Sequence, residues 1–214
     1  NSSDHAYSGT FDGNGHTLTV NYNTTEQYTA PFLCAAGATI KNLRVAGTLT
    51  SKAKFVAGVI GSCASGTNTI TNCRVSATID SSVSGDATNG GFVAVNAGSS
   101  TLNISNCMFD GKFTGSNATS IGGFVGWGAS KVNIQNSLVA PSVITIKADA
   151  SATFARMSNY NNMTLTNAYY TKAIGTIVQG TSAEGMDDST LLTKLGTNWQ
   201  IVNNQVVVSM PSVA

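Results

Sequence analysis

Six carboxylates in this chain could take part in acid–base chemistry on a sugar polymer: Asp12, Glu26, Asp80, Asp86, Asp110 and Asp149. Glycoside hydrolysis needs two such groups roughly 5–9.5 Å apart, one to protonate the leaving oxygen and one to attack or to activate water. Their spacing argues against a pair. None of the six falls at matching positions of the repeat set out below, except loosely Asp80 and Asp110, which follow different apolar positions. Asp12 belongs to the tight-turn sequence Asp12-Gly13-Asn14-Gly15, where Asp is favoured for backbone reasons. Calcium-dependent lyase chemistry would need clustered Asp residues beside an Arg or Lys base. Arg44 and Arg74 share one repeat position, and no Asp cluster accompanies them in the sequence. His5 and His16 lie near one end, too few for a metal site, and no Ser or Cys has a His partner at repeat spacing. No catalytic residue, metal ligand or cofactor is assigned on these grounds, and the ligand-binding residues are left unassigned.

Binding chemistry has more candidates. Tyr160, Tyr169 and Trp127 read as outward aromatics on which a sugar ring can stack. Scattered exposed aromatics are also ordinary on soluble proteins. Thr69-x-Thr71 and Thr164-x-Thr166 project Thr pairs of the kind that would suit an ice-binding face, but Lys41, Asn133 and Gln135 interrupt that array. The four cysteines, Cys34, Cys63, Cys73 and Cys107, contain no CxxC. A zinc or thioredoxin-like site is therefore unsupported. Cys73 and Cys107 occupy the same repeat position. They read either as small packing residues or as an inter-unit disulfide, since stacked strands bring Cα atoms within bridging range.

The element that must position these residues is a repeat. Thr39–Val45 (TIKNLRV), Thr69–Val75 (TITNCRV), Leu102–Phe109 (LNISNCMF), Val132–Val139 (VNIQNSLV) and Thr164–Tyr170 (TLTNAYY) each carry an aliphatic residue two places before an Asn. The Asn residues are Asn42, Asn72, Asn106, Asn136 and Asn167, at steps of 30, 34, 30 and 31 residues. Three apolar columns follow: Ile40, Ile70, Ile104, Ile134 and Leu165; Val45, Val75, Phe109, Val139 and Tyr170; Leu49, Ile79, Phe113, Val143 and Ile174. A Gly/aromatic-aliphatic patch precedes each Asn strand: PFLCAAG, AGVIGS, GGFVAV, GGFVGW and ATFARM.

A fixed period of this size marks an array of identical supersecondary units. Apolar spacing of two, short β-branched strands and internal Gly pairs favour strands over helices. One unit cannot bury its own apolar face, whereas stacked units bury continuous columns. Crossovers between parallel strands are right-handed. The sequence thus predicts an all-β, single-stranded, right-handed parallel β-helix over residues 1–182, with stacked Asn side chains forming an amide ladder. Leu18 reads as the counterpart of Ile40 in a shorter opening turn. Residues 183–214 predict a C-terminal cap. In that segment Asp187, Asp188 and Ser189 are N-cap candidates for a short helix ending at Gly196, followed by a hairpin around Asn203-Asn204, with Trp199 as the anchor.

Composition narrows the function classes. Only 10% of the 214 residues are charged and the net charge is +1. That excludes an electrostatic nucleic-acid binder. No apolar run approaches the ~18 residues of a membrane span. With no Met at position 1 and no basic-then-apolar leader, the chain reads as a mature or trimmed product.

Three segments carry a family resemblance. YSGTFDGNGHTL (Tyr7–Leu18), GGFVGW (Gly122–Trp127) and AEGMDDSTLLTKLGTNWQIVNNQVVVSMP (Ala183–Pro211) resemble the opening motif, the glycine–aromatic–glycine motif and the closing segment of GLUG-repeat proteins. The resemblance implies a bacterial secreted or cell-surface β-helix, adhesin-like, often one module of a longer protein. It implies no agreed activity and transfers no catalytic residue. The expectation is a non-catalytic module for adhesion to a host or environmental glycan or protein. The alternative is a polysaccharide-active lyase or glycoside hydrolase whose carboxylates converge only in three dimensions.

Overall fold

The Asn-centred strands lie on successive rungs of one parallel sheet. Ile40 pairs with Ile70, Ile70 with Ile104, Ile104 with Ile134, and Ile134 with Leu165. The second column, Val45 to Tyr170, is likewise in register throughout. Asn72 and Asn106 therefore occupy adjacent rungs, as the repeat requires. This computed structural model describes residues 2–213; Asn1, whose status as a natural start the sequence leaves open, lies outside them. The chain is a parallel β-helix whose rungs lie ~4.8 Å apart and whose core is the set of inward columns. Ile40, Ile70, Ile104, Val45, Val75 and Phe109 are fully buried.

The patch strands stack in the same way. Ile60 pairs with Val93 and Val93 with Val125, while Phe92, Phe124 and Phe154 point inward with ring centroids 4.6 and 5.2 Å apart. The glycine before each of the first two Phe residues has a steric cause. A Cβ on Gly91 would lie 2.0 Å from the Gly123 carbonyl oxygen, and one on Gly123 would lie 1.9 Å from that of Thr153. Adjacent rungs meet backbone to backbone there, so the aromatic that follows can enter the core.

Four details differ from the sequence expectation. Phe113 pairs with Ile144 rather than Val143, because the Ala140-Pro141-Ser142 turn adds one residue. Leu18 pairs with Val45, and Phe11 stands at the Ile40 position, so the opening rung begins before the Asp12–Gly15 turn. Outermost among the described residues, that rung leaves Phe11, Leu18 and Tyr22 exposed and buries only Val20 of its second strand. The sequence predicts a turn between patch and Asn strand in every unit, but in two units Ile60–Thr71 and Val93–Ser105 run through, with the register slipping between Asn96 and Ser99. Buried Asn68 and Asn96 secure that slip. Asn68 accepts from the Ala38 N–H at 2.9 Å and donates to Ser65 O and Ser100 Oγ, and Asn96 donates to Ser100 O and Lys131 O. At the start of the described chain, Ser3–His5 forms a single 3₁₀ turn where the sequence suggests only a frayed end.

The expected amide ladder is incomplete. Asn72 donates to Asn42 at 2.7 Å, Asn42 to Asp12 at 3.0 Å, and Asn167 to Asn136 at 3.1 Å. Among the described residues Asn106 bonds to neither Asn72 nor Asn136, so the ladder breaks on both sides of it and the buried Asn72 Oδ1 is left without a hydrogen bond. What all five Asn residues share is a backbone φ of 47–53°, the left-handed region. Asn enters that region at lower cost than most residues. The repeated Asn is therefore first a bend residue and only in places a ladder. Asn106→Gly is accordingly expected to leave the denaturation midpoint near that of the parent. Asn106→Ala is expected to cost about 1 kcal/mol, read from urea unfolding. Equal losses in both variants would restore the ladder reading.

The closing segment forms the helix Asp188–Leu195 and the antiparallel pair Trp199–Val202 and Gln205–Val208. The Asp187 side chain accepts from the Thr190 N–H at 2.8 Å as an N-cap. Asn203 and Asn204 both have positive φ, as a two-residue hairpin turn requires. This segment lies along the flank of the stack rather than across its end rung. The reason is an outward column in register, Arg44, Arg74, Met108, Leu138 and Tyr169. Met108, Leu138 and Tyr169 would be an exposed apolar stripe, and they are buried against Leu191, Leu195, Trp199 and Val207. The segment reaches back to the opening rung, where the Pro211 carbonyl oxygen sits over Gly15.

Candidate functional site

One corner of the β-helix bends repeatedly at non-glycine residues with positive φ: Tyr28 (63°), Phe55 (74°), Thr88 (48°) and Ser120 (66°). Bulky residues in that region cost on the order of 1–3 kcal/mol each and persist only where their surroundings hold them. Beside this corner the patch strand turns outward the column Ser62, Val95 and Trp127. The two features enclose an open groove of about 340 Å³ lined by Tyr28, Lys54, Phe55, Asp86, Trp127 and Arg156, with Thr88 and Val95 at its floor.

The groove is ordered by stacking and by charge. Tyr28 stacks on Phe55 at 4.6 Å, with Lys54 Nζ 5.1 Å from the Phe55 ring. The Arg156 guanidinium lies 5.3 Å from the Trp127 ring and donates through Nη1 to Gly126 O, Ser120 O and Thr88 Oγ1. Three rungs are thereby tied by one half-buried cation, whose proton affinity is lowered chiefly by burial and raised in part by Asp86. Asp86 accepts from Lys54 Nζ at 2.7 Å and from the Thr88 hydroxyl. Partial burial pushes its carboxyl up, but the Lys54 and Thr88 hydrogen bonds outweigh that and hold it below the ordinary range. A depressed carboxyl favours folding above its unfolded value of ~3.9, and that contribution is lost as the pH falls through the folded value. The Asp86 carboxyl carbon should therefore titrate below ~3.9 in an NMR series, and Lys54→Met should raise its midpoint. An unshifted midpoint in the parent would remove the ion pair from the account.

The other carboxylates do not converge. Asp12 takes the Asn42 amide and the Asn14 N–H, both of which hold its carboxyl low in a turn. Glu26 and Asp149 are exposed. Asp80 accepts from Thr114 on the strand Lys112–Gly115, while Asp110 lies against Arg74 and Ser76 on the opposite side of a turn. Among the described residues no two of the six share a hydrogen-bonding partner. His5 and His16 are exposed, and their side chains make no hydrogen bond or ion pair among the described residues. Among the described residues no group of three or more His, Cys, Asp or Glu side chains could hold a metal ion, and no helix is long and apolar enough to cross a membrane.

Several sequence candidates change character. Tyr169 is buried under the closing segment and is no platform, whereas Trp127 is half-buried at the groove. Tyr160 is exposed on the turn beyond Arg156. Cys73 and Cys107 stack as free thiols rather than a bridge, each donating to a carbonyl of the neighbouring rung, Ile40 O and Ile70 O. Burial raises the Cys107 and Cys63 thiols, which makes them poor nucleophiles. On the flat outer face, Asn133 donates to Asn103 and Thr71 pairs with Ser105, so the Thr pairs are broken by a mixed polar array.

Among solved structures, the chain is similar to the crystal structure of a "putative immunoglobulin A1 protease" from Bacteroides ovatus, with a TM-score of 0.61 and 15% identity. The match covers 92% of this chain and 76% of that one. At that identity it shows a shared β-solenoid fold and nothing finer. No model of a known protein family matches the chain, and no curated protein matches it.

Sequence reasoning missed most of the groove. Lys54, Phe55 and Thr88 sit in variable stretches and share positive φ or adjacency to it, whereas Arg156 sits in the degenerate ATFARM patch. The signal available was the aromatic at Tyr28 and Phe55 just before each patch. It stayed silent because nothing local shows that these residues stack one rung apart.

Proposed function

We propose that this chain is a non-catalytic binding module of a bacterial secreted or surface-displayed protein, and that it holds a glycan in the corner groove. The observation that carries this reading is the composition of the groove. Aromatic rings are fixed beside Lys54, Arg156 and a single carboxylate, Asp86, which is already committed to an ion pair. Ring faces and edges suit the apolar side of a pyranose, and fixed charged groups suit its hydroxyls. A hydrolase would need a second carboxylate within about 9.5 Å and a general acid with a raised pKa. Asp86 has the opposite shift and no carboxylate partner in the groove. The GLUG-repeat resemblance supports a surface location and membership of a longer, multi-module protein. The neighbour's protease name gains no support from His5 or His16, which have no Ser, Cys or carboxylate partner among the described residues.

Affinity electrophoresis through gels containing neutral and acidic polysaccharides tests the reading. Retardation by at least one polymer, relieved by its oligosaccharides, is expected. Unretarded migration across the whole panel would overturn it.

A further inference from the structure

A second cleft, of about 440 Å³, lies between the closing hairpin and the N-terminal part of the outward column, lined by Thr17, Arg44, Arg74, Gln200, Asn203 and Gln205. Its charges are unevenly matched. Arg74 is committed to Asp110, donating to it through both Nε and Nη2, with the two side chains only 17% and 9% exposed. The second Asp110 oxygen takes the Ser76 hydroxyl at 2.6 Å. Arg44, one rung away, reaches only that neutral hydroxyl, donating through Nε at 3.1 Å. Both of its η nitrogens lack a protein acceptor among the described residues. Two arginines thus face one carboxylate, and the surplus cation is half-buried. Burial, then the Arg74 charge, lowers its proton affinity, and Asp110 offsets this only in part.

A guanidinium with two vacant η nitrogens is a fork for a planar oxyanion. The hairpin wall supplies the neutral amides of Gln200, Asn203 and Gln205 among apolar side chains that include Val202 and Met210, with one contact to Asp110 from Gln205 Nε2 at 3.4 Å. We propose that this cleft is a separate site for a carboxylate-bearing sugar. Its carboxylate takes the Arg44 fork, and its hydroxyls meet the hairpin amides. The closing segment then has two duties: covering the apolar flank at Met108, Leu138 and Tyr169, and forming one wall of the cleft. The inference stands independently of the corner groove.

The test is an NMR titration of the intact chain with sodium glucuronate, glucose and sodium acetate, following the side-chain amides of Gln200, Asn203 and Gln205. Glucuronate should shift them saturably, with glucose and acetate at least about tenfold weaker. Arg44→Gln should abolish the response, Arg44→Lys should keep part of it, and Lys131→Gln, on an exposed turn elsewhere, should leave it intact. Trp127→Ala should leave it intact too, which separates failure here from failure of the groove. The proposal is overturned if glucuronate produces no shift, if acetate or glucose matches it, or if Arg44→Gln responds like the parent.

Discussion

Phe124→Ala should lower the unfolding free energy by about 3–5 kcal/mol, as a reduced urea midpoint at an unchanged slope. Phe124 is fully buried between Phe92 and Phe154, at centroid distances of 4.6 and 5.2 Å. The upper end of the range is expected because the site cannot collapse. The rungs on either side are held at backbone contact through Gly91, Gly123 and Thr153, so the neighbours cannot close on the void. Solenoid stability is close to a sum of unit and nearest-neighbour terms, so a loss in mid-stack weakens two interfaces at once. Phe11→Ala is the comparison. Phe11 stands on the opening rung, 38% exposed, with one rung beneath it and none above among the described residues. It should cost well under half as much. Equal losses at the two positions would mean that columns of stacked side chains do not set the stability.

Trp127→Ala should weaken retention by whichever polysaccharide the parent binds by at least about 30-fold, corresponding to ~2 kcal/mol, while changing stability less than Phe124→Ala. Binding energy concentrates on Trp and Arg side chains that pack against one another and are ringed by weaker contacts. Trp127 and Arg156 form such a pair across adjacent rungs, and Arg156 also ties Gly126, Ser120 and Thr88 together. Removing the indole takes away a stacking surface and frees the guanidinium to move. Tyr22→Ala, an exposed aromatic on the opening rung outside the groove, should leave retention unchanged. Loss of retention in the Tyr22 variant, or none in the Trp127 variant, would move the binding surface elsewhere.

The repeat made the fold legible because its signal is one-dimensional. An apolar residue, an Asn and a second apolar residue at fixed offsets fix which side chains stack, and the observed pairs Ile70–Ile104 and Val75–Phe109 follow from counting alone. Counting fails where a unit gains or loses a residue. Pro141 shifts Ile144 into the place expected for Val143, and the longer turn at Asp12–Gly15 moves Phe11 rather than Leu18 onto Ile40. The amide-ladder expectation fails for a different reason. Asn suits both a ladder and a left-handed bend, and the shared φ shows that the bend is the common requirement.

The candidate sites were much less legible. Arg74 and Asp110 are 36 residues apart and meet because the extra residues of one unit are looped out. Arg156 reaches Thr88 across 68 residues. Such contacts depend on which outward residues face a corner rather than a flat side, and period alone does not reveal that. The flank position of the closing segment is a similar case. Met108, Leu138 and Tyr169 share one outward column, and an apolar outward column on three successive rungs signals that something covers it.

We propose that the corner groove binds a glycan without cutting it. The most direct measurement is to incubate the purified chain with the polysaccharide that retards it and then determine the polymer's length by size-exclusion chromatography. An unchanged length distribution is expected, with retention lost in Trp127→Ala. A shortened polymer whose shortening disappears in Asp86→Asn would contradict it and make the groove an active site.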